Sequence, residues 1–190
     1  MSGVTTDGHT AAPSKGPDDD FVDRSRGGKY LTFFLGREEY GLQILKVQEI
    51  IGLMDITPVP RTQHFIRGVI NLRGKVIPII DLRLKFGMDS SEPTDLTCII
   101  VVEAEGRRIG IVVDQVSEVA DIASEEIEDP PSFGAGVNTD YILGIGKSEG
   151  HVKLLLDIDQ ALSMSEMAEV EATAEGLGEE IEEARPLMRA

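Results

Sequence analysis

The chain has 190 residues, 41% hydrophobic and 27% charged, enough for one globular domain or two small ones around a shared core. Its net charge of −16 argues against a basic groove for nucleic acid and against docking on an anionic membrane surface. No apolar run approaches the roughly 18 residues of a membrane helix, and one cysteine, Cys98, leaves no disulfide framework within a single chain.

The lone cysteine sits in an apolar run, fits a small core residue and suits a reducing cytoplasm. The polar amino terminus is no signal peptide. Residues 1–28 are mostly Gly, Ser, Thr and Asp with almost no apolar content, which predicts a disordered arm. Order begins near Lys29. Residues 30–35 read as a strand, 36–39 as a turn and 40–42 as the start of a second strand. Residues 43–51 place Ile44, Val47, Ile50 and Ile51 at i, i+3, i+6 and i+7, the spacing of a short helix. Thr57-Pro58-Val59-Pro60 is an extended loop.

Two β-branched runs, 66–70 and 76–80, flank Asn71-Leu72-Arg73-Gly74 and read as a hairpin in which Gly74 supplies a positive φ. Pro78 inside the second run belongs at an edge or a bulge. A polar break near 86–96 is a candidate joint. The pattern then restarts, with strands over 97–103 and 107–113 around a turn at 104–106. Residues 129–136 form a loop carrying Phe133. Residues 141–147 and 151–157 form another hairpin around Ser148-Glu149-Gly150, and 158–162 starts a helix.

The restart is an internal repeat. Residues 40–51 align with 109–120 at an offset of 69 (40 to 109), matching Gly41 with Gly110, Val47 with Val116 and Glu49 with Glu118. Residues 67–82 align with 143–158 at an offset of 76 (67 to 143), matching Gly68 with Gly144, Gly74 with Gly150, Val76 with Val152 and Asp81 with Asp157. Such a repeat predicts two similar β units, and short strands with glycine turns favour small barrels. Arg73 does not repeat; its counterpart is Glu149. A turn needs no arginine, so the asymmetry marks Arg73 as a functional candidate. Beyond Ser163, eight glutamates stand against Arg185 and Arg189, which reads as a solvated acidic extension over 163–190.

No reactive constellation emerges. His9, His64 and His151 are far apart in sequence and outside any zinc-like cluster. There is no nucleophile elbow and no phosphate loop. Asp81 and Asp157 end equivalent strands and read as caps, and Asp114 as an edge or turn residue. No catalytic residue, metal site or cofactor is expected; a binding module is.

Four stretches carry a resemblance: Glu39-Tyr-Gly-Leu-Gln-Ile-Leu-Lys-Val-Gln-Glu-Ile50, Phe65-Ile-Arg-Gly-Val-Ile-Asn-Leu-Arg-Gly74, Val76-Ile-Pro-Ile-Ile-Asp-Leu-Arg83 and Gly110-Ile-Val-Val-Asp-Gln-Val-Ser-Glu-Val119. Together they resemble the CheW family of bacterial chemotaxis adaptors, over about residues 29–162. The resemblance implies a mainly β fold: two SH3-like five-stranded β-barrels sharing a hydrophobic core, with short helices. It implies no catalysis. It implies an adaptor that couples the signalling tips of membrane chemoreceptors to the regulatory domain of a CheA-type histidine kinase, cytoplasmic but recruited to receptor arrays. By matching motifs it places Val47, Glu49, Gly68, Arg73, Val116 and Val119 in or near a receptor groove between the barrels, and Phe133 as a kinase or array contact. The alternatives are a fragment of the kinase's own regulatory domain or, in a different class, a small β-barrel enzyme or ligand-binding protein. A deep pocket with converging polar groups would favour the latter.

Overall fold

The structure is a computed structural model that describes residues 26–134 and 139–162. Most of the expected arm at 1–28, the acidic extension 163–190 and part of the 129–136 loop lie outside the described residues.

Among the described residues, eleven strands form two sheets. Strands β3 (Val47–Gly52), β4 (Ile66–Leu72), β5 (Lys75–Asp81), β6 (Cys98–Ala104) and β7 (Arg107–Val113) make a five-stranded sheet in the order β3-β6-β7-β5-β4, the middle barrel. Strands β1 (Gly28–Leu35), β2 (Glu38–Gln43), β8 (Gln115–Ile122), β9 (Ile127–Glu128), β10 (Ile142–Ser148) and β11 (His151–Leu156) make the terminal barrel in the order β8-β1-β2-β11-β10-β9. Helix α1 (Leu82–Lys85) follows β5, and α2 (Ile158–Ala161) follows β11.

The repeat and the barrels do not coincide. Each barrel takes its first strand pair from the other half of the repeat: β1 and β2 join β8–β11, while β6 and β7 join β3–β5. The break at 86–96 therefore links β5 to β6 inside the middle barrel and is not a joint between subdomains. The chain changes barrel at the 3-10 turn Ile44–Lys46 and at Asp114. The exchange explains one repeated pair of glycines, Gly41 and Gly110. Gly110 of β7 lies beside Ile79 of β5 in a parallel pairing, and Gly41 of β2 lies beside Leu155 of β11 in the equivalent one. A Cβ on Gly110 would sit 2.4 Å from Ile79 Cδ1, and one on Gly41 2.8 Å from Leu155 Cδ2.

The offset of 76 holds in fine detail. The β4–β5 ladder shifts register between Ile66 and Gly68, and the β10–β11 ladder between Ile142 and Gly144. Arg73 and Glu149 both have φ near +50°, each followed by a positive-φ glycine, so both hairpins close on two-residue turns. The Asp81 carboxylate caps α1 by accepting from the Leu84 N–H, and Asp157 caps α2 by accepting from the Asp159 and Gln160 N–H groups, as the sequence suggested. The terminal barrel counts six strands because β9 pairs with β10 through Glu128 and Ile145. The middle barrel has only a single bridge at that place, between Thr57 and Val69. Pro78 lies in β5 one residue before that strand's pairing with β7 begins, so no ladder bond is lost.

A second sequence expectation fails. Residues 43–51 hold a three-residue 3-10 turn and then strand β3, not a helix. The cause is a β-bulge: β3 shifts register against β6 between Val47 and Glu49, leaving Gln48 unpaired. A bulge adds one residue, so positions three apart come to share a face. Val47 and Ile50 thereby imitate helical spacing.

Apolar residues alternate between two burial environments. In β1, Leu31, Phe33 and Leu35 face a large cluster between the barrels, while Tyr30 faces the terminal barrel's interior with Ala120, Ile122, Ile127 and Leu155. In β6, Ile100 and Val102 face the shared cluster, while Ile99 and Val101 face the middle barrel's interior with Ile70, Ile77 and Ile79. Strands buried on both faces read as the continuous apolar runs seen in the sequence.

Two polar clamps fasten the barrels where the chain crosses. Arg83 of α1 donates to Asp114 (2.6 Å), which also accepts from the Gly36 N–H (2.6 Å). Asp159 of α2 accepts from Lys46 (2.6 Å) and from the Glu105 N–H (2.9 Å). Arg83 and Asp159 are repeat mates, so the same joint is built twice with its charges reversed.

Candidate functional site

The candidate residues lie mainly on two strands that the repeat relates, β3 and β8. In β3, Val47 stands opposite Val102 and Ile50 opposite Ile100. Directly opposed residues share a face of the sheet, so both point to the seam between the barrels, where Val102 and Ile100 are buried. In β8, Val116 stands opposite Phe33 and Val119 opposite Leu31, again on the seam face. Here too a bulge makes this work, because Ser117 and Glu118 together span the single residue Thr32.

The inner pair, Val47 and Val116, is half-buried and packs on the shared core. The outer pair is open to solvent, with Ile50 46% and Val119 52% exposed. Four apolar side chains thus line the seam, and Ile50 maps onto Val119 by the same offset of 69 that maps Val47 onto Val116. The helical spacing of residues 43–51 gives no sign that Ile50 belongs to the site, whereas the offset of 69 from Val119 does.

Arg73 occupies the tip of the β4–β5 turn, 68% of its side chain exposed, and forms an ion pair with Glu49 of β3. β3 and β4 are opposite ends of the middle sheet's strand order, so this contact spans the sheet's closure. Asn71 secures the turn by accepting from the Gly74 N–H (2.9 Å). Glu49 stands opposite Val101, on the barrel-interior face rather than the seam face. Arg73 and Glu49 therefore form a polar pair at β3, with Glu49 next to Ile50 in sequence but on the other face of the strand from the Val47 and Ile50 stripe.

Gly68 serves backbone packing. Its φ is +136°, and a Cβ there would lie 2.0 Å from the Thr57 carbonyl oxygen. It admits the Thr57–Val69 bridge and offers no side chain to a partner. Phe133 lies away from these strands in sequence, in the loop after β9, and is 59% exposed. Cys98 lies beside Val116; burial pushes its thiol pKa up, and a hydrogen bond with the Val116 backbone opposes that shift. It is a packing residue, not a reactive thiolate.

A cavity of about 140 Å³ opens between the barrels, lined by Tyr40, Phe86, Met88, Tyr141, Ile142, Leu154 and Leu156. The rings of Tyr40, Phe86 and Tyr141 stack in series across it, with centroids 5.7 and 5.2 Å apart. No charged side chain lines it, and its lining side chains are apolar apart from the two phenols, without the converging charges of a catalytic pocket. Among the described residues, no group of three His, Cys, Asp or Glu side chains could hold a metal ion. No helix among them is long and apolar enough to cross a membrane.

Residues 29–166 match the CheW-like domain family. The chain belongs to the CheW family. It is 44% identical over 148 residues to the chemotaxis protein CheW of Klebsiella aerogenes, covering 78% of this chain and 89% of that protein. It is 32% identical over 140 residues to the chemotaxis protein CheW of Rhizobium meliloti, covering 74% of this chain and 90% of that one. The crystal structure of the scaffolding protein TtCheW from Thermoanaerobacter tengcongensis superposes with a TM-score of 0.67 at 36% identity, covering 74% of this chain and 95% of its counterpart. The fold is thus that of the CheW family, two SH3-like β-barrels around a common core. Within this CheW-family chain the seam strands β3 and β8 both lie inside the matched region.

Proposed function

We propose that this chain is a non-catalytic chemotaxis adaptor that couples the signalling tips of chemoreceptors to a CheA-type histidine kinase, in the cytoplasm and recruited to receptor arrays. One observation carries the reading: two repeat-related apolar pairs, Val47 with Ile50 and Val116 with Val119, share the seam face, and their outer members are left exposed. Exposed apolar side chains clustered near a polar pair suit a protein partner. A helical receptor hairpin would lay an apolar stripe along the seam. Arg73, held at a positive-φ tip, would offer its guanidinium to that partner. Phe133, exposed in a loop, is the proposed contact for the kinase or a neighbouring adaptor.

Family membership supports the coarse reading, since the relatives are named chemotaxis and scaffolding proteins. Titration of a soluble receptor signalling-tip fragment against the purified chain tests it. Saturable binding that Ile50→Asp or Val119→Asp weakens by roughly 100-fold is the expected result. Binding unaffected by both substitutions would move the receptor site elsewhere.

A further inference from the structure

We propose that Lys153 is a positioning residue for the receptor-facing strand β8, acting through Glu118; the proposal rests on the adaptor reading of the seam. Lys153 is 4% exposed and occupies the position that Ile77 takes in the middle barrel. Its ammonium lies 3.1 Å from Glu118 Oε1 and 3.5 Å from Glu39 Oε1. A cation withdrawn from water is retained only with such partners, because leaving it unpaired is costly.

Glu118 is one of the two residues of the β8 bulge, between Val116 and Val119. Its backbone is fixed as well. The Thr32 hydroxyl accepts from the Glu118 N–H (3.2 Å) and donates to the Glu118 carbonyl (3.2 Å). The middle barrel has Val101 at the position of Thr32, so it cannot make these bonds. Glu49, the mate of Glu118, is instead held by the exposed Arg73.

The bulge decides what β8 presents. In a regular strand, residues three apart face opposite sides. The extra residue brings Val116 and Val119 onto one face, and slipping it would turn one of them out of the seam. Lys153 and Thr32 grip the residue at which that slip would occur. The terminal barrel therefore sets its half of the seam from a buried charge, and the middle barrel sets its half from a surface charge.

The test uses Lys153→Met, which keeps an unbranched side chain, and Glu118→Gln, which removes the charge from a 58% exposed side chain and leaves Glu39 beside the Lys153 ammonium. Methyl NMR of the free protein is read together with titration of a soluble chemoreceptor signalling-tip fragment. Both variants should displace the Val116 and Val119 methyl signals, leave those of Val47 and Ile50 in place, and weaken binding about tenfold. Unchanged Val116 and Val119 signals would overturn the proposal. So would equal displacement of the β3 methyls with a matching fall in melting temperature, which marks a purely structural lysine. If the unmodified chain does not bind the fragment, the adaptor reading fails, while the methyl signals of the free variants still decide whether Lys153 sets β8.

Discussion

Ile50 of β3 and Val119 of β8 occupy one position in two barrels, each three residues beyond a half-buried valine and each brought to the seam by a bulge. Both are solvent-exposed, so their substitution separates binding from folding. Ile50→Asp and Val119→Asp should each cost under about 1 kcal/mol of stability and reduce receptor-tip affinity by roughly 100-fold, as hot-spot residues do. Parallel melting and titration series check this, and a melting loss equal to the binding loss would assign both residues to the core.

Val47 and Val116 should behave differently. Both pack on the shared core, so truncation to alanine should lower stability by about 1–2 kcal/mol and weaken binding as well. Denaturant titration of the two variants gives the first figure directly.

Arg73→Ala should weaken receptor binding at least about tenfold. Its stability effect should stay within about 1 kcal/mol, because the Arg73 side chain is 68% exposed although Glu49 is half-buried. If Arg73 acts only by holding Glu49, Glu49→Gln will reproduce the binding loss; if Arg73 touches the receptor, it will not.

Gly68→Ala should be the most damaging of the single-methyl changes. The added Cβ meets a backbone carbonyl that cannot swing aside, and the φ of +136° disfavours any side chain. A loss of about 3 kcal/mol or more is expected by chemical denaturation. Receptor binding per folded molecule should be unchanged, which would confirm Gly68 as a packing residue.

The Lys46–Asp159 clamp predicts a pH dependence. Burial alone would raise the Asp159 carboxyl, but hydrogen bonds from Lys46 and from the Glu105 N–H outweigh it and hold the pKa below the ordinary value. The hydrogen bond to Asp159 lifts the Lys46 pKa, against the opposing effect of burial. A depressed carboxylate stabilises the fold above its unfolded pKa, and that contribution disappears as pH falls through the folded value. Asp159→Asn should therefore cost about 1 kcal/mol at pH 7, the pair being partly exposed. The gap to the unmodified chain should start to narrow below about pH 4, near the unfolded value, and close only once pH has passed the depressed folded value.

Much of this was legible in the sequence, and each miss has its own physical cause. The repeat, the hairpins and the caps at Asp81 and Asp157 could be read because they depend on local rules of turn and cap chemistry. The strand exchange could not, since a repeat records that two units are alike and not which strands pair. The joint expected at 86–96 followed from composition alone, and a polar loop inside a barrel has the same composition as a linker. The helix expected over 43–51 failed because a bulge gives Val47 and Ile50 the i, i+3 spacing of a helix face. That misreading also hid Ile50 from the site. Lys153 went unnoticed because nothing in its local sequence shows burial; only the alignment with Ile77 does.

On the proposed reading, the seam lined by β3 and β8 receives the receptor. Methyl NMR on the intact chain tests it most directly, with a soluble chemoreceptor signalling-tip fragment added in steps. The Val47, Ile50, Val116 and Val119 signals should shift together with a single dissociation constant. Perturbation confined to the barrel tips at Val76 and Val152, with the four seam signals unmoved, would contradict it.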